Sequence, residues 1–336
     1  MNIIIPMAGM GKRMRPHTLT TPKPLLPIAG KPIVKRLVED IARVCDETIE
    51  HIAFVVGPNF SEDVFADLHE IANSLGAKGH ICVQEEALGT AHAVYCAKEV
   101  LDGNVIVGFA DTLFRADFTI DPNRDGVIWV KQVEDPSAFG VIKLTDNNVI
   151  CDFIEKPETF VSDLAIIGIY YFKDGARLKD EITYLLDNDI REKGEYQLTN
   201  ALENMKNDGL EFVPGEVTDW MDCGNKNATV DTNKRVLMHA KDEVLISKTH
   251  KLINATIIEP CYIGEHVVIE NSTVGPYMSI GDNTKVVNSV ISNSIIQTNA
   301  DIKNASFENS MIGNFVEYDG ESNQLSISDY STVKDN

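Results

Sequence analysis

The chain has 336 residues, 43% hydrophobic and 24% charged, the make-up of an ordinary soluble globular protein with room for about two domains. Its net charge of −21, from 30 Lys and Arg against 51 Asp and Glu, argues against a general nucleic-acid surface, which needs broad positive potential. No apolar stretch reaches a membrane span, and the start of the chain lacks a basic segment followed by a long apolar core. Cys45, Cys82, Cys96, Cys151, Cys223 and Cys261 form no C-x-x-C pair. They read as buried free thiols in a reducing compartment rather than a zinc or dithiol site, so the chain is expected in the cytoplasm.

In chain order, short apolar runs at Asn2 to Ile5, His51 to Val56, His80 to Gln84, Asn104 to Asp111 and Val127 to Val133 read as strands. Between them, Pro32 to Cys45 sets Ile33, Leu37, Ile41 and Val44 on one helical face. Ser61 to Gly76 opens with a capping Ser followed by Glu62 and Asp63 and closes on Gly. The alternation predicts a mostly parallel sheet covered on both faces, with ligands beyond the carboxyl ends of its strands. A further helix is expected over Asn225 to Ala240. From about Leu252 the texture changes. Ile257, Ile263, Ile269, Val274, Ile280, Val286, Ile291, Ile296, Ile302 and Ile312 recur about every six residues, with Gly264, Gly275, Gly281 and Gly313 following aliphatics. Six-residue repeats predict a β-helix solenoid, here of roughly three coils, and the residues from about Glu321 read as a polar tail. The expected domains are 1–240 and 241–336.

Charge is unevenly spread. Residues 1–38 hold seven Lys or Arg and no Asp or Glu, so a net −21 leaves −28 for the rest. A local basic loop in an acidic chain points to a small polyanion. The loop is no P-loop, because Gly9 and Gly11 are too close and Arg13 follows Lys12; G-x-G-x-x-G fails at Met14. Gly9 and Gly11 let backbone N–H groups approach phosphate oxygens, while Arg13 offers a fork and Lys23 a mobile point charge. Together they can hold a triphosphate and stabilise charge during phosphoryl or nucleotidyl transfer.

The stretch "GMGKRMRPHTLTTPKPLLPIAGKPI", followed in order by "QEEALGTAHAV", "FAD", "FGVIKL", "FIEKP" and "WMDCG", resembles the sugar-phosphate nucleotidyltransferases over about the first 240 residues. Many relatives append a hexapeptide-repeat solenoid. The resemblance implies a Rossmann-like, mostly parallel α/β domain followed by a short left-handed β-helix. It implies Mg²⁺-dependent conversion of a nucleoside triphosphate and a sugar 1-phosphate to a nucleotide sugar and pyrophosphate. By resemblance, Arg13 and Lys23 act on the phosphates, Asp111 and Asp222 hold the metal, and Ala8, Gly9, Gly11, Gln84, Gly89 and Thr90 hold the nucleotide. Gly140, Glu155, Lys156 and Gly168 take the sugar phosphate.

"LGTAHA" is closer to the UTP and dTTP enzymes than to the purine branches. A Gln84 amide suits O4 and N3–H of either pyrimidine, and the one methyl that separates them is worth only about 1–3 kcal/mol. Glucose 1-phosphate is the commonest acceptor in those branches. Two alternatives remain: a bifunctional uridylyltransferase with acetyl transfer in the solenoid, and a non-catalytic scaffold subunit, which would not need the phosphate grips present here. The histidines, His92 included, read as packing or surface residues, and the solenoid as the element that assembles a homo-oligomer. The sequence departs from the family pattern at Lys12, His17, Cys223 and Asn225.

Overall fold

A computed structural model describes residues 1–116, 120, 121, 123–240 and 243–334. The expected boundary after residue 240 falls at residues outside this set. In chain order the elements are β1 (Asn2–Pro6), β2 (Pro27–Ile28), β3 (Lys31–Pro32), α1 (Ile33–Val44), β4 (His51–Val56), α2 (Glu62–Ser74), β5 (Lys78–Val83) and α3 (Thr90–Tyr95). Then come β6 (Val105–Gly108), β7 (Thr112–Arg115), β8 (Gly126–Gln132), β9 (Gly140–Leu144), β10 (Ile150–Glu155) and β11 (Leu164–Phe172). They are followed by α4 (Gly175–Asp187), α5 (Leu198–Asn207), β12 (Phe212–Glu216), β13 (Asp219–Asp222) and α6 (Lys226–His239), after which the elements among the described residues are short strands. The chain divides into two compact units, one of Met1–Gly9 with Leu37–Trp220 and one of Met10–Arg36 with Met221–Asn336.

The first unit is built on a sheet ordered β10-β9-β11-β6-β1-β4-β5, with β8 paired to β11 and β12 to β8. β1 runs parallel to β4 and β6, β4 to β5, and β8 to β12; β11 is antiparallel to β6, β8 and β9. The sheet is thus mixed, with its parallel part formed by the first strands of the chain. β1 is buried along its length, and so is β4 apart from its first residue, because helices cover both faces. The chain builds β4 and β5 on one side of β1 and then crosses to β6 on the other. The strand order therefore reverses at β1, and the carboxyl ends of β1 and β6 open at the switch point where such sheets take ligands. The core packs Ile4, Val107, Ile128, Phe172, Leu178, Ile182, Leu202 and Phe212 together. In α1 the predicted stripe Ile33, Leu37, Ile41 and Val44 is buried. Ser61 is the N-cap of α2, but its side chain makes no capping bond.

The second unit carries three parallel sheets of short strands. On one face, successive strands begin at Lys251, Val268, Lys285, Asp301, Glu317 and Thr332, so each coil takes 15–17 residues. This is a left-handed β-helix of about five coils rather than three. The extra length comes partly from the segment after Glu321, where Ser326–Ile327 and Thr332–Lys334 pair onto the preceding coil. Nine of the ten aliphatic markers are buried on its axis, and Ile257, at its open end, is partly buried.

The corners need left-handed backbone. Asn254, Asn271, Asn288 and Asn304 occupy one column and Asn293 and Asn309 another, all at positive φ, a conformation that Asn tolerates better than other residues with a Cβ. Their amides bond from coil to coil, Asn254 to Asn271 at 2.9 Å, Asn304 to Asp319 at 2.7 Å and Asn293 to Asn309 at 2.6 Å. At a third corner the rings of Phe315 and Tyr330 stack at 4.9 Å.

The loop 10–36 is fastened within this unit. Asn233, fully buried on α6, accepts from the Ala29 N–H at 2.9 Å and from the Ser279 hydroxyl at 2.7 Å. Arg36 donates to the carbonyls of Ile28 and Ala29 and pairs with Glu243 at 3.1 Å.

Candidate active site

In the first unit, Met7 follows β1 and donates to the Val55 carbonyl at 2.8 Å, while Ala110 donates to Pro6 at 3.3 Å. Ala8 and Gly9 therefore leave the sheet at its switch point, and Asp111 stands at the end of the neighbouring strand β6, half-buried. Phe109, two residues earlier, donates to the Gly168 carbonyl at 2.9 Å. Gly168 holds φ +86° where the pairing of β11 with β8 slips.

Beside this lies a tight turn. Tyr196 N–H donates to Leu88 and the Ala91 N–H to Tyr196, both at 2.9 Å. Gly89 adopts φ +122°, and a Cβ there would stand 2.4 Å from the Tyr196 carbonyl oxygen, so backbone geometry leaves only glycine. Gln84, 7% exposed, donates its amide to the Gly89 carbonyl at 3.3 Å and to His92 Nδ1 at 3.1 Å. The amide is thus turned so that its oxygen is oriented by two bonds made on the nitrogen. Burial lowers the pKa of His92, favouring the neutral ring that accepts this bond. The Thr90 hydroxyl donates to Gln197 at 3.2 Å and accepts from the Leu198 N–H at 2.9 Å, joining α3 to the start of α5.

The sugar-directed residues also come together. Gly140 lies opposite Glu155 in the β9–β10 register, and a Cβ at Gly140 would approach Glu155 Oε2 to 3.1 Å. Glu155, largely buried, accepts from the Thr199 hydroxyl at 3.2 Å and pairs with Lys156 at 3.0 Å. Lys156 is half-exposed, and its own carbonyl accepts from Lys193 at 2.7 Å. The buried Tyr170 hydroxyl has its pKa raised by burial and by the carboxylates of Glu155 and Asp111.

In the second unit the basic loop folds on itself. Gly11 sits at φ +54°, where a Cβ would be 3.0 Å from Lys23 Cβ and from Thr18 Cγ2. Thr18 donates to the Gly11 carbonyl at 2.8 Å. Lys23 is 8% exposed, and Arg13 is exposed. Asp222 Oδ1 accepts from the Gly224 N–H at 2.8 Å, and Gly224 faces both the Asp222 carboxylate and the Arg13 guanidinium. Asn225, one departure from the family pattern, caps α6 by accepting from the Ala228 N–H at 3.0 Å. Cys223 is fully buried.

His92, Thr199, Tyr196 and Gly224 were not singled out by sequence as site residues. His92 was visible inside "QEEALGTAHAV", whereas Tyr196 and Thr199 carry no local signal and arrive from a distant segment. Among the described residues no group of three or more His, Cys, Asp or Glu side chains could hold a metal.

His17 is 1% exposed, and its Nε2 lies 3.2 Å from Ser326 Oγ. Burial lowers its pKa from 6.5 to about 4, with Asp329 opposing the shift and Lys226 adding to it. The folded chain keeps this ring neutral while the unfolded chain protonates it. Stability is therefore fully present above pH 6.5 and is lost as pH falls towards 4, by about 3 kcal/mol. Urea unfolding at pH 7 and pH 4.5 should show that slope, and His17→Asn should reduce it.

The Nucleotidyl transferase family profile matches residues 2–239. The chain is 33% identical to the bifunctional protein GlmU of Methanococcus maripaludis over 82% of its length and 61% of that relative's. It is 29% identical to the glucose-1-phosphate thymidylyltransferase of Streptomyces antibioticus over 94% of its length and 93% of that relative's. It thus spans about three fifths of the length of the GlmU relative. Among solved structures, a UDP-glucose pyrophosphorylase complexed with UDP-glucose shares the fold with a TM-score of 0.57 at 24% identity, covering 71% of this chain and 98% of that one. A nucleoside-diphosphate-sugar pyrophosphorylase from Vibrio cholerae does so with a TM-score of 0.58 at 24% identity, covering 69% and 99%. With its switch-point strands, glycine turn and basic loop in place, the chain belongs to the nucleotidyl transferase family.

Proposed function

We propose that this protein transfers the nucleotidyl group of dTTP or UTP to a sugar 1-phosphate, with glucose 1-phosphate the leading acceptor. A phosphate oxygen of the sugar attacks the α-phosphorus, the bond to the β-phosphate oxygen breaks, and pyrophosphate leaves. The nucleophile is already an anion, so no protein nucleophile is required. The observation that carries the reading is the grouping of Arg13, Gly224 and Asp222.

Arg13 neutralises the departing pyrophosphate and Lys23 the charge at the α-phosphorus. Ala8, Gly9 and Gly11 present backbone to the nucleotide. Gln84 reads the pyrimidine edge, supported by its orientation on Gly89 and His92, and Thr90 follows at the start of α3. Glu155 holds sugar hydroxyls and Lys156 the sugar phosphate, with Gly140 and Gly168 giving backbone access. Asp111 and Asp222 are the carboxylates for Mg²⁺. A carboxylate is a hard oxygen donor of the kind Mg²⁺ takes, and Mg²⁺ draws its remaining ligands from substrate phosphates and water. Bound there, Mg²⁺ supplies charge neutralisation and polarises the α-phosphate.

Purified protein should release pyrophosphate with dTTP or UTP and a hexose 1-phosphate in the presence of Mg²⁺, across a panel of five nucleotides and four sugar phosphates. Purine preference would overturn the role of Gln84. Silence in every pair would favour the scaffold reading, and acetyl transfer from acetyl-CoA the bifunctional one.

Self-association through the β-helix belongs to the same proposal, supported by exposed Leu252, Ile253 and Ile258 on its first coil. Light scattering should give a multiple of 37.2 kDa. A cytoplasmic setting is supported by the free state of all six thiols; they are not all buried as expected, since Cys223 and Cys261 are buried, Cys45, Cys82 and Cys96 are partly buried and Cys151 is exposed. Among the described residues no helix is long and apolar enough to cross a membrane.

A further inference from the structure

We infer that the last coil of the β-helix is the seat of the phosphate-gripping loop, with His17 as the positioning residue that transmits its order. This rests on the phosphate role of the loop proposed above.

Three side chains of that coil reach the loop. Ser326 Oγ meets His17 Nε2 at 3.2 Å, Ser328 donates to the Pro16 carbonyl at 3.1 Å, and Asp329 Oδ2 accepts from the Thr20 hydroxyl at 2.7 Å. Asp329 is itself aimed by the preceding coil, since its Oδ1 accepts from the Asn314 N–H at 2.6 Å and its Oδ2 from the Asn314 amide at 3.3 Å. From the loop side, Thr18 follows His17 and holds the Gly11 carbonyl at 2.8 Å, and Gly11 packs against Lys23 Cβ. Arg13 lies four residues before His17 and Lys23 six after it. Fixing His17 therefore fixes the turn from which both cations project.

The loop has no regular element longer than three residues between Met10 and Pro32, so its shape must come from what it rests on. A loop ordered before substrate arrives loses less freedom on binding the triphosphate. His17, a departure from the family pattern, acquires a role: its imidazole reaches a hydroxyl on the coil that an aliphatic side chain could not bond.

The full-length S326A/S328A double variant tests this, with Ser326→Thr as the conservative control and Arg13→Ala as the phosphate control. The expected result is a kcat/KM for dTTP or UTP lower by about tenfold to thirtyfold, from two lost hydrogen bonds. The loss should be carried by the KM for the triphosphate, with the KM for the sugar phosphate unchanged. Hydrogen exchange over residues 10–25 should quicken while the strands Val268–Glu270 and Lys285–Val287 stay protected, and Ser326→Thr should behave as wild type. Unchanged exchange in the loop, or faster exchange with an unchanged triphosphate KM, overturns the inference while an impaired Arg13→Ala keeps the phosphate reading standing. Wild-type kcat/KM in Arg13→Ala overturns both.

Discussion

Asp222→Asn is expected to lower kcat by about a hundredfold to a thousandfold with the fold intact, the scale of removing one preorganised charge-stabilising group from a transition state. An Asn Oδ1 can still accept the 2.8 Å bond from Gly224, and the Thr232 hydroxyl bonds the main-chain carbonyl of Asp222, not its carboxylate. The substitution removes one negative charge near Arg13. The Mg²⁺ concentration needed for half-maximal rate should rise, and Asp111→Asn should do the same from the end of β6. Steady-state rates across a Mg²⁺ series, beside thermal unfolding curves that superimpose on wild type, check this. An unchanged kcat in both variants would remove the metal assignment.

Gly89→Ala should be nearly as damaging for a different reason. The new Cβ would meet main-chain atoms of Tyr196 at 2.4 and 2.6 Å, and neither can swing away as a side chain could. A φ of +122° adds strain of about 1–3 kcal/mol for any residue bearing a Cβ. The turn must lift off Tyr196, which breaks two 2.9 Å backbone bonds and removes the acceptor that orients Gln84. We expect kcat/KM for the nucleotide to fall by about a hundredfold, mostly through KM, and the melting point to drop by several degrees. Kinetics with both pyrimidine nucleotides and a thermal scan test it. A change in KM under threefold would show that the turn does not hold the base.

Much of this architecture is legible in the residues. The buried parallel strands β1, β4 and β6 announce themselves as unbroken apolar runs, and α1 by the period of Ile33, Leu37, Ile41 and Val44. The central antiparallel strand β11 is less so, because Gly168 interrupts an otherwise continuous run and strand direction is a property of pairing partners. The β-helix shows in its aliphatic period. Its length does not, since the last coil is held by Ser326, Ser328 and Asp329, whose polar character reads as a tail. The corner asparagines look like loop residues until their positive φ is seen.

In the candidate site, residues carried by compact blocks could be named in advance. Tyr196, Thr199 and Gly224 could not, because each matters through a neighbour far away in sequence or through backbone space. His17 illustrates the gap: a pattern flags it as unusual, and only its partner 309 residues later explains it.

The coil-by-coil construction of the second unit also makes it a ruler. Adjacent strands of a sheet are about 4.8 Å apart, so adding or deleting one coil would move Ser326 and Asp329 by that distance, beyond the reach of any of their bonds to residues 16–20. Repeat arrays usually change length freely by duplication, since each repeat touches only its neighbours. Here the count of coils is calibrated against a fixed point at the other end of the chain, and the sequence between Leu252 and Leu325 can drift in composition far more easily than in length.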